Sequence, residues 1–245
     1  MLDICDIHSH ILPGIDDGCG SAEESVAVLK RMWQEGVRKV FATPHFYYAR
    51  ESVEDFLKHR QESENRLRAA LEKEDRPVPA FCCGAEVAYF SGMDRCKELS
   101  SLCFGQSRYL LLELPFTPWS GQMVRDVSNL CLQGFVPILA HYERYTRYQS
   151  KQMLSAMLES EPLVQMNASC FLGTWKGMKA RAALRRGQVH LLGSDCHGLD
   201  RRPFQLGQAI QELKKKNLNA ALSQVAALSN EIFADAIMAR NQLDE

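Results

Sequence analysis

The sequence predicts an α/β fold, a mostly parallel barrel in one domain, and three observations carry that prediction. Short apolar runs alternate with longer amphipathic stretches, the rhythm of repeated strand-and-helix units. Histidines and carboxylates recur at the C-terminal ends of the apolar runs, where such barrels place their chemistry. The length of 245 residues suits one barrel, since this fold commonly fills roughly 200 to 250 residues.

Seven strands are predicted: Leu2 to His8, Lys39 to Thr43, Ala80 to Glu86, Tyr109 to Leu114, Val136 to His141, Leu163 to Asn167 and Val189 to Ser194. Each is brief and largely apolar, as a parallel strand covered on both faces must be. Helices fill the intervals. The first, Ser21 to Glu35, opens on Ser-Ala-Glu-Glu, a capping signature, and closes at Gly36. Val53 to Glu74 is strongly charged, yet Phe56, Leu67 and Leu71 keep helical spacing. Gln122 to Leu132 stops at Gly134. Gln149 to Leu158, Lys176 to Arg186 before Gly187, and a helical tail from Phe204 to Gln242 complete the series. No internal repeat, low-complexity tract or long linker divides the chain, so a single domain is expected over residues 1–245.

The 29 basic and 30 acidic side chains leave a formal net charge of −1, which gives no global attraction to nucleic acid or to an anionic membrane. An anionic substrate must therefore be held locally. Lys214, Lys215 and Lys216 read as a solvated helix face. No apolar run approaches the roughly 18 to 20 residues of a membrane span. The opening Met1-Leu2-Asp3-Ile4-Cys5-Asp6 lacks the basic and apolar regions of a secretory signal. With nine cysteines, an odd count in a long chain, this predicts a cytoplasmic protein whose thiols are mostly unpaired. Cys82, Cys83 and Cys170 read as small buried hydrophobes.

Five of the seven histidines stand at or just beyond strand ends: His8, His10, His45, His141 and His197. His59 and His190 read as ordinary core or surface residues. In His8-Ser9-His10 an extended backbone points both imidazoles to one side, which makes half a metal site. Asp16-Asp17-Gly18 follows, either as a turn or as a source of ligands. His45 is held behind Pro44. Glu86 and Glu113 set single carboxylates among apolar residues, a costly arrangement unless they are paired or metal-bound. His141 ends one strand, and Asp195-Cys196-His197 follows another. With no Cys-x-x-Cys knuckle present, these mixed nitrogen and oxygen donors favour a catalytic multi-metal site over structural zinc. Phe46, Tyr47, Tyr48, Tyr89, Phe90, Phe116 and Trp119 follow the same strand ends. They either receive an aromatic substrate or pack loops over the metals.

His8-Ser9-His10, Ala42-Thr43-Pro44-His45, Glu86, Glu113, His141 with Glu143-Arg144-Tyr145, and Ser194-Asp195-Cys196-His197, in this order, resemble the PHP (polymerase and histidinol phosphatase) superfamily. The stretch His8 to Gly18 and the segment Ala140 to Tyr145 resemble one branch, the manganese-dependent tyrosine-protein phosphatases of bacterial capsular and exopolysaccharide operons. The match runs from about Asp6 to Arg202. The resemblance implies a distorted (β/α)7 barrel holding three divalent metal ions, manganese in that branch, although iron and zinc accept the same donors. By this resemblance His8, His10, Glu86 and Asp195 would hold the first metal. Glu86 would bridge to a second, completed by Glu113 and His141, and Asp17, His45 and His197 would hold the third. Arg144 and Arg202 match the family's phosphate-binding arginines; Arg201 is adjacent, and register alone selects between the two.

The implied reaction is hydrolysis of phosphotyrosine by a metal-bridging hydroxide, and the implied partner is a bacterial tyrosine autokinase that controls polysaccharide export. Two positions depart from the family pattern, Tyr142 for proline and Cys196 for alanine, and neither is a ligand. Cys196 and Arg202 fit the Cys-x5-Arg count of thiol phosphatases, but the residues between them lack a glycine-rich anion cradle. The alternative on the same site is a small-molecule phosphatase of the histidinol-phosphate type. A nuclease is disfavoured by the neutral charge. A barrel that binds metal only for stability is the non-enzymatic alternative.

Overall fold

A computed structural model describes residues 3–175 and 177–241. Nine strands are present among them: β1 (Asp6–Ser9), β2 (Lys39–Ala42), β3 (His45–Phe46), β4 (Ala80–Cys83), β5 (Glu86–Ala88), β6 (Tyr109–Glu113), β7 (Val136–Leu139), β8 (Leu163–Asn167) and β9 (Leu191–Gly193). All pair in parallel, in a three-stranded sheet of order β1-β2-β4 and a six-stranded sheet of order β3-β5-β6-β7-β8-β9.

The two sheets run into one another. β2 resumes as β3 after Thr43-Pro44, and β4 resumes as β5 after Gly84-Ala85. Proline has no N–H to give a ladder, so the first strand breaks there. The Gly84 N–H donates to Ala42 O and the Glu86 N–H to Pro44 O, both at 2.9 Å, which carries the pairing across both breaks. At the far edge Asp195 N–H donates to His8 O at 2.8 Å and His10 N–H to Cys196 O at 2.9 Å. The parallel sheet thus curls until residues just beyond β9 lie against β1. The predicted strands Lys39 to Thr43 and Ala80 to Glu86 are each interrupted by these breaks.

Seven helices cover the outside: α1 (Ala22–Gln34), α2 (Val53–Leu71), α3 (Gly121–Leu132), α4 (Lys151–Leu158), α5 (Met178–Arg185), α6 (Leu206–Lys215) and α7 (Asn219–Asn241). Four start on a serine whose oxygen accepts an N–H three residues on: Ser21 from Glu24, Ser52 from Asp55, Ser120 from Met123 and Ser150 from Met153. Each satisfies a donor that the first turn leaves without a helical partner. Ser150 also explains why α4 begins at Lys151 rather than at Gln149. The single expected tail is two helices. Asn217 takes a left-handed φ of 58°, and Leu218 N–H turns back to Leu213 O at 3.1 Å, ending α6. Short 3-10 turns at Met93–Arg95, Leu99–Leu102, Tyr142–Arg147 and Ala168–Phe171 were not expected. The predicted start of the first strand at Leu2, of the fifth helix at Lys176 and end of the tail at Gln242 lie outside the described residues.

Period-two alternation sorts the strand residues. Leu110, Leu112 and Leu114 pack outward beneath α2 and α3, with Phe56, Val127 and Leu130. Leu111 instead joins Ile7, Phe41, Ile138 and Leu191 in an interior cluster closed by Ile232 and Phe233 of α7. The same helix ties down the N-terminal segment: Cys5 N–H donates to Ser229 Oγ at 3.3 Å, and Asn230 Nδ2 donates to Asp3 O at 2.6 Å. One end of the curled sheet is therefore filled with apolar side chains. The C-terminal strand ends carry the polar ones. No helix of the described residues is long and apolar enough to cross a membrane.

Candidate active site

Glu86, at the first position of β5 and 1% exposed, is the centre of the polar cluster. Its Oε2 lies 3.3 Å from His8 Nε2, 3.4 Å from His10 Nε2 and 2.9 Å from His45 Nδ1. Its Oε1 lies 2.9 Å from His141 Nε2, which is also 3.3 Å from Glu113 Oε1. Asp195 Oδ1 approaches His8 and His10 at 3.7 and 3.6 Å. Asp17 Oδ1 lies 3.4 Å from His45 Nε2 and 3.3 Å from His197 Nε2. The structure thus brings together all nine residues singled out as ligands. The two left over behave as ordinary histidines. His59 is exposed beside Glu51, and His190 Nδ1 accepts the Val164 N–H at 2.9 Å.

Local backbone geometry makes this convergence possible. His141 and Asp195 follow strand ends in left-handed conformations, φ 34° and 51°, which cost a non-glycine residue free energy and are typical of functional positions. At Gly18 an added Cβ would lie 2.5 Å from His10 Cβ, so only glycine lets the Asp16-Asp17 loop fold against that imidazole.

Three groups of residues lie outside the ligand set assigned from sequence. Asp16, not only Asp17, belongs to the site: its Oδ2 lies 2.7 Å from His10 Nδ1 and accepts the His45 N–H at 3.0 Å, while Oδ1 accepts the Gly18 N–H. Gln165 Oε1 accepts the His141 N–H at 2.6 Å and faces His8 Nδ1 at 3.3 Å. Gln165 Nε2 donates to Asn167 Oδ1 at 2.9 Å, and Asn167 Nδ2 donates to Asp195 Oδ2 at 2.8 Å. The signal was present as two amides, two residues apart, in an otherwise apolar strand. Asp6 Oδ1 accepts the Ser194 N–H at 2.8 Å and joins β1 to the end of β9. Burial pushes the Asp6 carboxyl up to about 6, against the pull of its Ser194 and His8 bonds.

Burial opposes charge throughout the cluster, and pairing overrides it. His10 is raised to about 10 because Asp16 and Glu86 outweigh desolvation, and Asp16 correspondingly falls to about 2. His141 rises to about 9 through Glu113 and Glu86 despite its burial. Glu86, although fully buried, is held well below the usual carboxylate range by His8, His10, His141 and His45. Burial and the neighbouring His10 charge push His197 down to about 4.

The donors fit divalent cations. Glu86 Oε2, His45 Nδ1, His141 Nδ1 and His197 Nε2 are buried without a hydrogen-bond partner, and the 2.9 Å approach of His45 to Glu86 lacks hydrogen-bond alignment. Candidate ligand atoms fall within 4.8 Å of one another in four overlapping groups: His8, His10 and Glu86; His45, Glu86 and Glu113; His10, His45 and His197; and Asp16, Asp17 and His45. Imidazole nitrogens and carboxylate oxygens at such spacing, left unsatisfied in a buried basin, are donors that a bound cation would satisfy.

Both arginines converge on one carboxylate. Arg144 pairs with Asp195 Oδ2, and Arg202 Nη1 lies 3.0 and 3.1 Å from the Asp195 oxygens, with Nη2 3.5 Å from Asp17. Arg201 and Arg202 line a cleft of ≈ 230 Å³ with Asp17 and His197, and Arg202 is the one that reaches Asp195. Cys196 is buried, its Sγ donating to Gly198 O at 3.3 Å, and burial pushes the thiol up to about 12, which removes it as a nucleophile. Of the aromatics, Phe46 and Trp119 pack in the core rather than on the rim, and the Tyr89 hydroxyl donates to Asp126. Tyr47 stacks on His45 at 5.4 Å, Tyr48 on Phe90 at 4.3 Å, and Phe116 lies 5.6 Å from His141. Tyr148, 5.8 Å from Phe116, is a further rim aromatic.

Known proteins are similar to this chain in sequence and in fold. The tyrosine-protein phosphatase CpsB of Streptococcus pneumoniae is 32% identical over 227 residues, which is 86% of this chain and 90% of that protein. The tyrosine-protein phosphatase YwqE of Bacillus subtilis is 27% identical over 86% of this chain and 84% of its own. A crystal structure reported for YwqE and CpsB, described as unique metal-dependent tyrosine phosphatases, matches with a TM-score of 0.82 at 22% identity, covering 95% of each chain. The phosphotriesterase from Mycobacterium tuberculosis shares the fold at a TM-score of 0.59 and 10% identity, over 96% of this chain and 94% of that one. A family model described as capsular polysaccharide synthesis, CpsB/CapC, matches residues 4–232, and the chain belongs to that family.

Proposed function

We propose that the chain is a metal-dependent protein-tyrosine phosphatase, with residues 1–245 acting as one catalytic domain. The observation that carries this reading is the convergence of Arg144 and Arg202 on a single carboxylate at the edge of the Glu86 cluster. β2 with β3 and β4 with β5 count in this reading as single interrupted strands of a (β/α)7 barrel. In this reading His8, His10, Glu86 and Asp195 hold one divalent cation, Glu86, Glu113 and His141 a second, and Asp17, His45 and His197 a third, with manganese the expected metal. When bound, the cations supply Lewis acidity toward phosphoryl oxygens and acidify water enough for it to attack near neutral pH.

The chain's own residues do the rest. Arg144 and Arg202 present planar forks of donors that bind the phosphoryl oxygens and oppose the charge of the transition state. Asp195 holds the forks together until phosphate takes its place beside them. Asp16 fixes the His10 ring through Nδ1, and Gln165 faces the corresponding nitrogen of His8. Tyr47, Phe116 and Tyr148 border the opening and can flank an aromatic ring. A tyrosine leaving group, with a pKa near about 10, needs less protonation than an alkoxide. With Cys196 buried as a thiol, no covalent cysteine intermediate is required. The natural substrate in this reading is a tyrosine autokinase of capsule assembly, met in the cytoplasm.

The test is phosphate release by manganese-loaded protein from a phosphotyrosine peptide and from histidinol phosphate, side by side. We expect the peptide to be preferred, and Asp195→Asn to lower kcat/KM by at least about a hundredfold. A preference for histidinol phosphate would instead support the small-molecule reading.

A further inference from the structure

On the outer wall of the curled sheet, α4 and α5 have only eight residues each, roughly 12 Å of helix. A groove of ≈ 1300 Å³ lies between them. Its floor includes Val164 and Met166 of β8, the neighbours of Gln165 and Asn167, which face the other way into the site. Arg147, Lys151, Lys179 and Arg186 line it, against two carboxylates, Glu143 and Glu161. Glu143 is turned inward, its Oε2 accepting the Asn167 N–H at 3.3 Å. Among the described residues the side chains of Arg147, Lys151 and Lys179 have no ion pair or hydrogen bond, and Arg186 donates only to Gln188.

The groove and the site share a wall. In the 3-10 turn Tyr142–Arg147, Arg144 reaches Asp195, while Tyr142, Glu143, Thr146 and Arg147 line the groove. The volume exceeds the roughly 300 to 1,000 Å³ of a small-ligand pocket, and the trough follows the length of β8, roughly 16 Å. A cationic, apolar-floored trough of that length beside a phosphatase centre suits a length of chain rather than a metabolite.

We infer that this groove docks an acidic, partly apolar segment of the phosphoprotein substrate, next to the tyrosine being hydrolysed. The inference rests on the tyrosine-phosphatase reading and deepens it: specificity for a protein would lie outside the metal cluster, in charge complementarity along α4 and α5.

The experiment uses the full chain, loaded with manganese, and the double variant Lys151→Glu/Lys179→Glu, both exposed and remote from the catalytic groups. Wild type should favour a phosphotyrosine peptide with Asp and Glu flanks over one with neutral flanks by about tenfold, through KM. The double variant should lose that preference while hydrolysing para-nitrophenyl phosphate as wild type does. Fluorescence anisotropy of the acidic peptide without its phosphate should show binding to wild type and at least about fivefold weaker binding to the variant. Equal KM for the two peptides in wild type, or a preference that survives charge reversal, overturns the inference. If wild type hydrolyses no phosphotyrosine peptide, the phosphatase reading fails, and the anisotropy comparison alone decides whether the groove is an acidic-peptide site.

Discussion

Glu86 shows how much one side chain can organise. Four imidazoles touch its two oxygens, so Glu86→Gln keeps the shape and removes the charge on which they converge. Manganese content, read by elemental analysis, should fall together with turnover. An unchanged metal content would show that Glu86 only packs the site. Gln165 acts at one remove, since it touches His8 and the His141 backbone. Gln165→Leu should weaken metal affinity by about ten- to a hundredfold in chelator competition, with helical circular dichroism retained. Arg144→Lys keeps a positive charge but loses the planar fork, and kcat/KM should drop about a hundredfold at full metal occupancy. Most of the nine proposed ligands were legible because they end or interrupt apolar runs with groups that are costly to bury alone, whereas Asp17 sits exposed in a turn and was assigned only by the family resemblance. Gln165 and Asn167 break a run just as plainly. Neutral amides seldom ligate metals, however, and their role appears only when β8 is placed between β7 and β9.

At the level of elements, the apolar runs gave away the strands, because a parallel strand under helices can tolerate little else. The breaks between β2 and β3 and between β4 and β5 were harder to read. There Pro44 and Gly84 sit inside runs that remain apolar, and pairing resumes within two residues. The helical tail misled for a related reason. Lys214, Lys215 and Lys216 are good helix formers, and Asn217 is among the few non-glycine residues that enter the left-handed region readily. Phe46 and Trp119 were placed with the rim aromatics because sequence proximity to His45 and Glu113 says nothing about which face a side chain takes. Caps are separable from the site. Ser52→Ala should cost about 1 kcal/mol in urea denaturation and leave metal content unchanged. A combined loss would mean that α2 positions the ligands.

Across the whole molecule, charge and stability are linked through the cluster. In metal-free protein His10 and His141 hold their protons up to about 10 and about 9, above the ordinary 6.5, because Asp16, Glu86 and Glu113 outweigh burial. Below pH about 6.5 both folded and unfolded chains are protonated and this stabilisation is complete. As the pH rises from there through 9 and 10, the unfolded chain has already lost the protons that the folded chain still binds, and the stabilisation drains away. The melting temperature in chelator should therefore fall between pH 7 and 10, and fall less steeply in His10→Gln. Saturating manganese should raise it at every pH, by an amount worth about 4 kcal/mol at a thousandfold excess over Kd. A chelated protein whose melting temperature ignores pH over this range would refute the linkage.

The latch formed by α7 bears on the order in which the chain can become active. His8 and His10 leave the ribosome first, but their strand is held by Asp195 and Cys196 on one side and by Ser229 and Asn230 beneath. Loop closure over more than two hundred residues separates Ser229 and Asn230 from their partners in sequence, and non-local contacts of that kind form late. A nascent chain stalled short of the α7 codons should thus carry all nine of its proposed metal donors and still lack the assembled basin. Competence for metal would arrive with α7, so that a translation product truncated before it would be a poor competitor for divalent cations.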